Sequence, residues 1–262
     1  IGFDIDLQRC QELVDQGAET VAAPTDVCQQ CRTIFLSLPD SKIVEQLIAT
    51  IQPHLQPGDI ILDTTTGDPQ QTRSISRQLA GDGVTYLDTT MVGSSIQVRS
   101  LEGLMLIGGE SAAVSRCQLL INAVSKQSVY LGPSGSGATM KLIVNLVLGL
   151  NRAVLAEGLA LAESCGLELQ QVLDILNDSP AYSSVMERKG PKMVQEDFVP
   201  QARLAQHLKD VHLILQLGSE QRQPLLLSEV HQSLLQRAVS LGYAEADNSA
   251  IIMASRCRES TG

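Results

Sequence analysis

The sequence predicts two consecutive domains: a doubly wound α/β domain with a mostly parallel sheet over residues 1–134, and an all-α domain over residues 135–262. Up to residue 132, short continuous apolar runs alternate with helical patterns, as in a parallel sheet that is covered on both faces by crossover helices. After the stretch LGPSGSG no further strand pattern occurs, and the apolar residues repeat with a helical period. The second domain therefore begins with a helix.

Each element is predicted from the local pattern. The strands are predicted at 33–39, 59–66, 84–93, 103–109 and 128–132. Helices are predicted after Pro39 and over 69–83, where the pattern ends in glycines. The stretch that starts with ATMKLIVN predicts one largely buried helix of about 28 residues, and four further helical patterns follow it. At the start of the chain, IGFDID resembles the end of a strand and LQRCQELVDQG a helix.

Composition and charge exclude several classes of protein. The chain of 262 residues carries a net charge of −10, which argues against a nucleic-acid partner or an anionic membrane surface. The most apolar run, LIVNLVLGL, spans only residues 142–150 before Arg152 and predicts no membrane span. The start is not that of a signal peptide, so we expect a cytoplasmic protein, or one of the mitochondrial matrix if a transit peptide was removed.

The six cysteines are scattered along the chain, as is usual for reduced thiols. The motif DVCQQC holds a single CxxC, Cys28 and Cys31, and no second cysteine pair or histidine pair follows at metal-ligand spacing. We therefore predict no metal site.

Seven motifs, in order, resemble the β-hydroxyacid dehydrogenase family, which includes 3-hydroxyisobutyrate dehydrogenase and tartronate semialdehyde reductase. They are FLSLPD, ILDTTTGDP, YLDTTMVG, LIGG, GPSGSGATMKLIVN, FVPQARLAQHLKD and GYAEADNSA. The resemblance covers residues 1 to about 256 and implies a Rossmann-like dinucleotide-binding domain followed by a helical domain for substrate binding and dimerisation. It lacks the family's opening strand and GxGxxG turn, and we expect a truncated or unlisted segment there.

The resemblance implies that Lys141 is the catalytic acid/base, because Gly135, Gly137, Lys141 and Asn145 match the family's G-x-G-x-x-x-K-x-x-x-N pattern. Physical reasoning points the same way. Residues four apart share a helix face, so Lys141 and Asn145 can converge on one substrate oxygen. Aliphatic neighbours should lower the pKa of the lysine from its usual range. The alternative is a lysine that extends its amine to solvent from a helix between domains.

Cofactor contacts are implied at Asp4, Leu38, Pro39, Thr66 and Lys209. An acid at the end of the second strand of a dinucleotide-binding domain accepts from both ribose hydroxyls of NAD and would repel the 2′-phosphate of NADP. Asp4 therefore favours NAD, while Asp6 competes for this role and NADP is left open. The threonines of DTTTGDP follow a strand, where they either hold the nicotinamide ribose or cap the next helix.

Substrate contacts are implied at Gly93, Ser94, Lys141, Asn145, Lys209 and Asp210. The family usually reads D-A-P-V-S-G-G where this chain reads DTTMVGS, so that Val92 replaces the serine and Ser94 a glycine. Valine cannot donate a hydrogen bond to a carboxylate. Ser94 and Ser95 are therefore candidates to hold it, unless the substrate is not a typical 3-hydroxy acid. By itself, the Lys209–Asp210 dipeptide also fits a solvated helix surface.

The leading hypothesis is an oxidoreductase that transfers a hydride between a nicotinamide cofactor and a small β-hydroxy acid or its semialdehyde. One alternative is a non-catalytic homologue that acts as a binding or scaffold protein, which Val92 and the absent glycine-rich turn favour. Another is a reductase of imines or other non-acid substrates in the same fold. A homodimer or homotetramer is expected, because a helical half led by a long apolar helix leaves much surface to cover.

Overall fold

The computed structural model describes residues 1–256 and divides the chain into two compact units, Ile1–Lys141 and a second unit that starts at Leu142. The first holds a five-stranded sheet, and the second is helical. The division falls within one long helix rather than before it, seven residues beyond the predicted end of the first domain at residue 134.

The sheet has the strand order β1-β2-β3-β4-β5. Its strands are β1 (Thr33–Leu36), β2 (Ile60–Asp63), β3 (Thr85–Val92), β4 (Leu104–Gly108) and β5 (Gln127–Tyr130). All neighbouring pairs are parallel except β3 and β4, which are antiparallel. The predicted mostly parallel sheet is confirmed. The segment IGFDID, which resembles the end of a strand, makes a single parallel bridge between Gly2 and Thr20, and Asp6 then caps a helix.

Seven helices connect or precede these strands in the first unit. They are α1 (Leu7–Asp15), α2 (Pro24–Gln30), α3 (Ser41–Ile51), α4 (Pro69–Ala80), α5 (Ser95–Arg99), α6 (Ser111–Arg116) and α7 (Gln118–Val124). Successive strand residues pack on opposite faces: Ile61 joins the cluster with α3 and α4, whereas Ile60 and Leu62 join the cluster with α6 and α7. The sheet is therefore covered on both faces, although the edge strand β5 is exposed along its length.

The helical unit continues from α8 (Ser136–Ser164), which spans 29 residues. The other helices are α9 (Leu169–Asn177), α10 (Ser184–Gln195), α11 (Leu204–Glu220), α12 (Leu226–Ala238) and α13 (Ile252–Ser255), with a π-helical turn at Val239–Tyr243 and a 3-10 turn at Asn248–Ile251. The helix α10 was not predicted, because Gly190 and Pro191 interrupt its pattern. Gly190 lies against Leu173, where an added Cβ would approach Leu173 Cδ1 to 2.5 Å.

The long helix α8 is only partly buried, contrary to the predicted largely buried helix. Leu142, Leu155 and Leu159 are buried, whereas Val154 and Leu161 are 66% and 65% exposed. The helix α8 is long and apolar enough to cross a membrane, but core helices of globular domains can have the same length and composition. Arg152, near the middle of α8, is a charged residue that is only 5% exposed.

Candidate functional site

The carboxyl ends of β1 and β2 are held together by side-chain hydrogen bonds from threonines. The Thr64 hydroxyl donates to the carbonyl oxygen of Leu36 at 2.8 Å, and the backbone N–H of Leu38 donates to Thr65 Oγ1 at 3.0 Å. Parallel strands end at the same edge, so the loops that follow lie side by side. This places the predicted cofactor residues Leu38, Pro39 and Thr66 on adjacent loops.

The loop after β2 approaches the start of α3 closely. An added Cβ at Gly67 would clash with Ser41 Oγ, and the same hydroxyl accepts from the N–H of Asp68 at 2.7 Å. Asp68 in turn caps α4 by accepting from Gln70 N at 2.7 Å. These bonds fix the two loops in a single arrangement. A dinucleotide that lies across the carboxyl ends of parallel strands fits this edge.

The two acids of FDID have different roles in the structure. Asp6 caps α1, because its carboxylate accepts from Gln8 N at 2.9 Å. The Asp4 carboxylate is half-buried and accepts from Asp6 N at 2.9 Å. A carboxylate has further acceptor positions beyond one backbone hydrogen bond. Asp4 can therefore accept from ribose hydroxyls without uncapping a helix.

The predicted substrate residues after β3 take part in local structure. Ser94 forms a capping box at the start of α5, in which its hydroxyl accepts from Gln97 N at 3.3 Å and its N–H donates to Gln97 Oε1 at 2.9 Å. Gly93 has a φ of 145° that disfavours any other residue. A carboxylate bound by the Ser94 hydroxyl would therefore compete with helix capping. The side chain of Ser95 lies outside the described residues.

The predicted catalytic lysine, Lys141, is half-buried on α8 and belongs to the second turn of that helix. Ala138, one turn earlier, is buried, as is Leu142 beside it. Asn145 lies one turn further along the same helix. The side chains of Lys141 and Asn145 therefore project from one helix face.

Within the helical unit, three predicted residues come together. Asn145 Nδ2 donates to Asp210 Oδ2 at 2.9 Å, and Lys209 Nζ lies 3.4 Å from Asp210 Oδ1. Asp210 is 7% exposed. A buried carboxylate that accepts from the amide N–H fixes the amide orientation, so that Asn145 Oδ1 faces away from Asp210. The Asp210 carboxylate is already shared by Asn145 and Lys209, which is a positioning rather than a direct substrate-binding geometry.

A buried layer of polar side chains lies along α8 beyond Asn145, and the sequence did not predict it. An added Cβ at Gly149 would approach His207 Nε2 to 2.5 Å and His231 Cε1 to 2.6 Å, so the glycine admits two imidazoles. The two ring centroids are 5.2 Å apart. Burial, together with the nearby Arg152, lowers the pKa of His231 to about 4, so that this imidazole is neutral near pH 7.

Arg152 places a positive charge in this layer. Its side chain is 5% exposed, and burial lowers its pKa to about 10 although the charges of Asp247 and Asp210 oppose this shift. In the sequence, the only sign of this polar layer is that a glycine, Gly149, and a charged residue, Arg152, interrupt a largely apolar helix. An apolar-looking helix otherwise gave no reason to expect buried histidines from α11 and α12.

Asp247, in the motif GYAEADNSA, is the centre of a second buried network in the helical unit. Its carboxylate accepts from Lys189 Nζ at 2.8 Å, from Gln201 N at 2.9 Å and from Ser249 N at 3.1 Å. Burial alone would raise the pKa of Asp247, but these hydrogen bonds and the Lys189 charge bring it to about 2. The pKa of Lys189 is nevertheless lowered, because burial and the charges of Arg152 and Lys192 outweigh Asp247.

Two further buried carboxylates lie opposite each other on β2 and β3, Asp63 and Asp88. The Tyr86 hydroxyl donates to Asp63, and the N–H of Thr65 donates to the same carboxylate at 2.9 Å. Burial raises the pKa of both acids, and Asp88 adds to the rise at Asp63. Asp63 begins the motif DTTTGDP at a predicted strand end, whereas Asp88 was not predicted as a site residue.

Among residues 1–256, no group of three or more histidine, cysteine, aspartate or glutamate side chains could hold a metal ion. Cys28 is 2% exposed and its thiol lies 3.5 Å from the carbonyl oxygen of Pro24. Burial raises the pKa of the Cys28 thiol, and the charge of Asp59 adds to this rise. Cys28 is therefore a buried free thiol, and Cys31 is a half-buried one.

Two family models together match nearly the whole chain. The NAD-binding domain of 6-phosphogluconate dehydrogenase matches residues 1–132. The model described as NAD-binding of NADP-dependent 3-hydroxyisobutyrate dehydrogenase matches residues 135–255.

Curated relatives and a solved structure extend these matches. The chain is 29% identical over 252 residues to the cytokine-like nuclear factor N-PAC of Aedes aegypti, with 95% of this chain and 45% of the relative covered. It is also 29% identical over 251 residues to glyoxylate/succinic semialdehyde reductase 1 of Arabidopsis thaliana, with 95% and 87% covered. A 3-hydroxyisobutyrate dehydrogenase from Salmonella typhimurium shares the fold, with a TM-score of 0.88, 23% identity, and 95% and 89% of the two chains covered. The chain thus spans less than half the length of its N-PAC relative.

Proposed function

This chain belongs to the β-hydroxyacid dehydrogenase family, and on that premise we propose that it transfers a hydride between a nicotinamide dinucleotide and a small β-hydroxy acid or its semialdehyde. The observation that carries the proposal is a hydrogen bond between two helices: Asn145, one turn after Lys141 on α8, donates to the buried carboxylate of Asp210 on α11. An asparagine with only a solvated surface role has no need of a fixed amide. The buried carboxylate of Asp210 that orients the Asn145 amide therefore supports a role in binding or catalysis.

In the direction of reduction, the Lys141 ammonium donates a proton to the substrate oxygen as that oxygen gains negative charge. Asn145 lies on the same helix face, and the amide N–H that is not bound to Asp210 donates a second hydrogen bond to that oxygen. Asp210 holds the Asn145 amide in one orientation, and Lys209 balances the charge of Asp210. When bound, a nicotinamide dinucleotide would supply or accept the hydride. In the direction of oxidation, neutral Lys141 removes the hydroxyl proton.

The cofactor is proposed to be NAD rather than NADP. Asp4 is the acid that is not used to cap α1, and its carboxylate suits two ribose hydroxyls better than a phosphate. Leu38, Pro39 and Thr66, on the fixed loops after β1 and β2, are proposed to hold the nicotinamide half. Titration calorimetry should give tighter binding of NAD, and the variant Asp4→Ala should reduce the preference for NAD over NADP.

The substrate is proposed to be small, with its carboxylate or carbonyl end held near Gly93 by backbone N–H groups. Val92 offers no donor, and Ser94 already caps α5. A panel of small 3-hydroxy acids and semialdehydes, followed by nicotinamide absorbance, identifies the preferred substrate. The variant Val92→Ser should improve kcat/KM for 3-hydroxy acids if their carboxylate binds at this position.

The assigned acid/base is tested by Lys141→Ala, with Lys126→Ala as the matched control because Lys126 is an exposed lysine. General acid/base catalysis contributes roughly 10²- to 10⁴-fold, so kcat should fall by that factor in the first variant. Lys126→Ala should keep the rate of the unsubstituted protein. Full activity in Lys141→Ala would remove the mechanism.

A non-catalytic homologue is the second candidate, favoured by the resemblance to a relative described as a nuclear factor and by Val92 at the family's serine position. In this case the protein binds a partner and turns over no hydroxy acid. Calorimetry with NAD and NADP, together with the substrate panel, separates the two candidates. Dinucleotide binding with turnover supports the enzyme, whereas neither binding nor turnover supports the alternative.

A homodimer through α8 is also proposed. Ile143, Val147, Val154 and Leu161 are 46%, 51%, 66% and 65% exposed, which is costly for aliphatic side chains on one helix. Light scattering should report a mass above that of one chain, and the double variant Val154→Asp, Leu161→Asp should lower it.

For localisation, we propose the cytoplasm, because Cys10, Cys28, Cys31, Cys117 and Cys165 are free thiols. Fluorescence microscopy of a tagged full chain tests this, and secretion of the protein would contradict it.

A further inference from the structure

The first turn of α8 is held by one buried carboxylate, Asp88 of β3. Its oxygen Oδ1 accepts from the N–H of Gly135 at 2.8 Å, and Oδ2 accepts from the N–H of Ala138 at 2.9 Å. Asp88 is 2% exposed. The first backbone N–H groups of a helix have no partner within the helix, so a charged acceptor in a low-dielectric setting binds them strongly.

Two glycines leave this carboxylate a single position. An added Cβ at Gly108 would lie 2.7 Å from each Asp88 carboxylate oxygen, and one at Gly137 would lie 2.6 Å from the carbonyl oxygen of Leu106. The Thr90 hydroxyl adds a bond to the carbonyl oxygen of Gly137 at 3.2 Å. The start of α8 is therefore packed directly on the backbone of β3 and β4.

Lys141 follows Ala138 by three residues, so it lies on the next turn of the same rigid helix. A shift or rotation of the first turn would move the Lys141 amine by a comparable amount. The amino end of a helix also carries a partial positive charge, which opposes an ammonium group in its first turns. The Asp88 carboxylate lies at that end and offsets this charge.

We propose that Asp88 is the positioning residue for Lys141: by accepting from Gly135 and Ala138, it fixes the place and the charge environment of the amine. The inference rests on the proposed function for its catalytic meaning. Its structural content, a carboxylate that controls the lysine through the helix start, does not depend on the substrate.

Charged and titratable side chains of neighbouring elements lie close to Asp88 and to the start of α8. Asp63 lies opposite on β2, and the Tyr86 hydroxyl on β3 donates to Asp63. From α4, Arg73 Nη1 lies 2.9 Å from the Cβ position at Gly135. Burial raises the pKa of Asp88, while the N–H groups of Gly135 and Ala138 oppose that rise.

The main experiment compares Asp88→Asn with Glu168→Gln in the full chain. Asparagine has the same size but loses the charge, and its NH₂ group cannot accept from the second N–H. We expect kcat to fall about 10- to 100-fold, as for a small misplacement of a catalytic group, with KM for the dinucleotide changed less than about twofold. The alkaline limb of the pH–rate profile should move to lower pH. Glu168→Gln removes a carboxylate that caps α9 and should leave kcat unchanged.

A second readout needs no turnover. Lysines are reductively methylated with ¹³C, the Lys141 signal is assigned with Lys141→Arg, and its titration midpoint is followed by NMR. In Asp88→Asn the midpoint should move to lower pH, and the N–H groups of Gly135 and Ala138 should exchange with solvent faster. If the unsubstituted chain turns over no hydroxy acid but these changes occur, the proposed function fails and this inference stands.

The variant Gly108→Ala separates position from charge, because its Cβ displaces the carboxylate of Asp88 without removing it. If Asp88→Asn does not fold, Gly108→Ala serves as the test variant instead. We expect the loss of kcat and the faster amide exchange, with a smaller movement of the titration midpoint. Unchanged exchange at Gly135 and Ala138 together with an unchanged midpoint in either folded variant would overturn the inference.

Discussion

Asp88 in the sheet unit and Asp247 in the helical unit are both buried carboxylates that accept hydrogen bonds from backbone N–H groups, yet their pKa values move in opposite directions. Asp88 is 2% exposed and Asp247 is 0% exposed. The pKa of Asp88 is raised by burial, while that of Asp247 falls to about 2.

The difference lies in the charge of the donors. The hydrogen bonds to Asp88 come from backbone N–H groups, those of Gly135 and Ala138 among them, whereas Asp247 also accepts from the Lys189 ammonium at 2.8 Å. Backbone N–H groups carry only partial charges, and at Asp88 their hydrogen bonds lower the pKa by less than burial raises it. A full positive charge nearby is what offsets the loss of hydration. The buried carboxylate of the helical unit is therefore stabilised by an ion pair with Lys189, and that of the sheet unit by backbone N–H groups at the start of α8.

The largest expected effect is the loss of stability in Asp247→Asn. Removing one partner of a buried ion pair leaves the other charge uncompensated, which costs about 3–5 kcal/mol. Lys189 would keep its charge in a buried setting, and the backbone N–H groups of Gln201 and Ser249 would lose their charged acceptor. Denaturant unfolding followed by circular dichroism measures the change. A loss below that of Asp88→Asn would contradict the comparison.

Acid should unfold the helical unit first. The folded pKa of Asp247 is depressed, so its stabilising contribution is complete above about pH 4 and is lost as pH falls towards 2. His231, with a pKa near 4, adds a loss that starts at about pH 6.5. The raised pKa values of Asp63 and Asp88 act in the opposite sense, because their protonated forms are favoured by folding.

Hydrogen exchange read by mass spectrometry between pH 7 and pH 3 resolves the two units. Peptides from α10, α11 and the segment around Asp247 should lose protection at higher pH than peptides from β2 and β3. Simultaneous loss, or earlier loss in the sheet, would show that these buried groups do not control acid unfolding.

Asp88→Asn should cost less than Asp247→Asn, about 1–3 kcal/mol, the usual penalty for a buried polar group that loses a partner. Removing the charge also relieves the cost of burying it, which limits the loss. The free energy of unfolding should therefore become less dependent on pH above the ordinary pKa of an aspartate in this variant, because the raised pKa of Asp88 no longer contributes. An unchanged pH dependence would mean that Asp88 titrates as it does in the unfolded chain.

The smallest effect is expected for Glu168→Gln. This exposed carboxylate caps α9 by accepting from Gln170 N at 3.0 Å and Gln171 N at 2.7 Å, as Asp88 does for α8. Water solvates the group in both states, and the amide oxygen of glutamine still accepts one bond. We expect a change of about 0.5 kcal/mol in thermal unfolding. A loss as large as that of Asp88→Asn would show that burial is not what distinguishes the two caps.

Much of the fold could be predicted from sequence because it depends on local periodicity. The five strands and α8 appear where apolar runs and helical spacing placed them. The helix α10 could not be predicted, because Gly190 and Pro191 look like a break until Leu173 is packed against the glycine. Likewise, Asn145, Lys209 and Asp210 were predicted from motifs, but only the fold showed that Asp210 holds the Asn145 amide.

The sequence by itself determined the succession of strands and helices along the chain, the family, and the helix that carries Lys141 and Asn145. Each of these depends on residues that are close together in the chain. The tertiary structure alone decided which acids are buried and what faces them. Asp88 meets Gly135 across 47 residues and Asp247 meets Lys189 across 58. Such pairings set hydration and charge balance, and no local pattern encodes them.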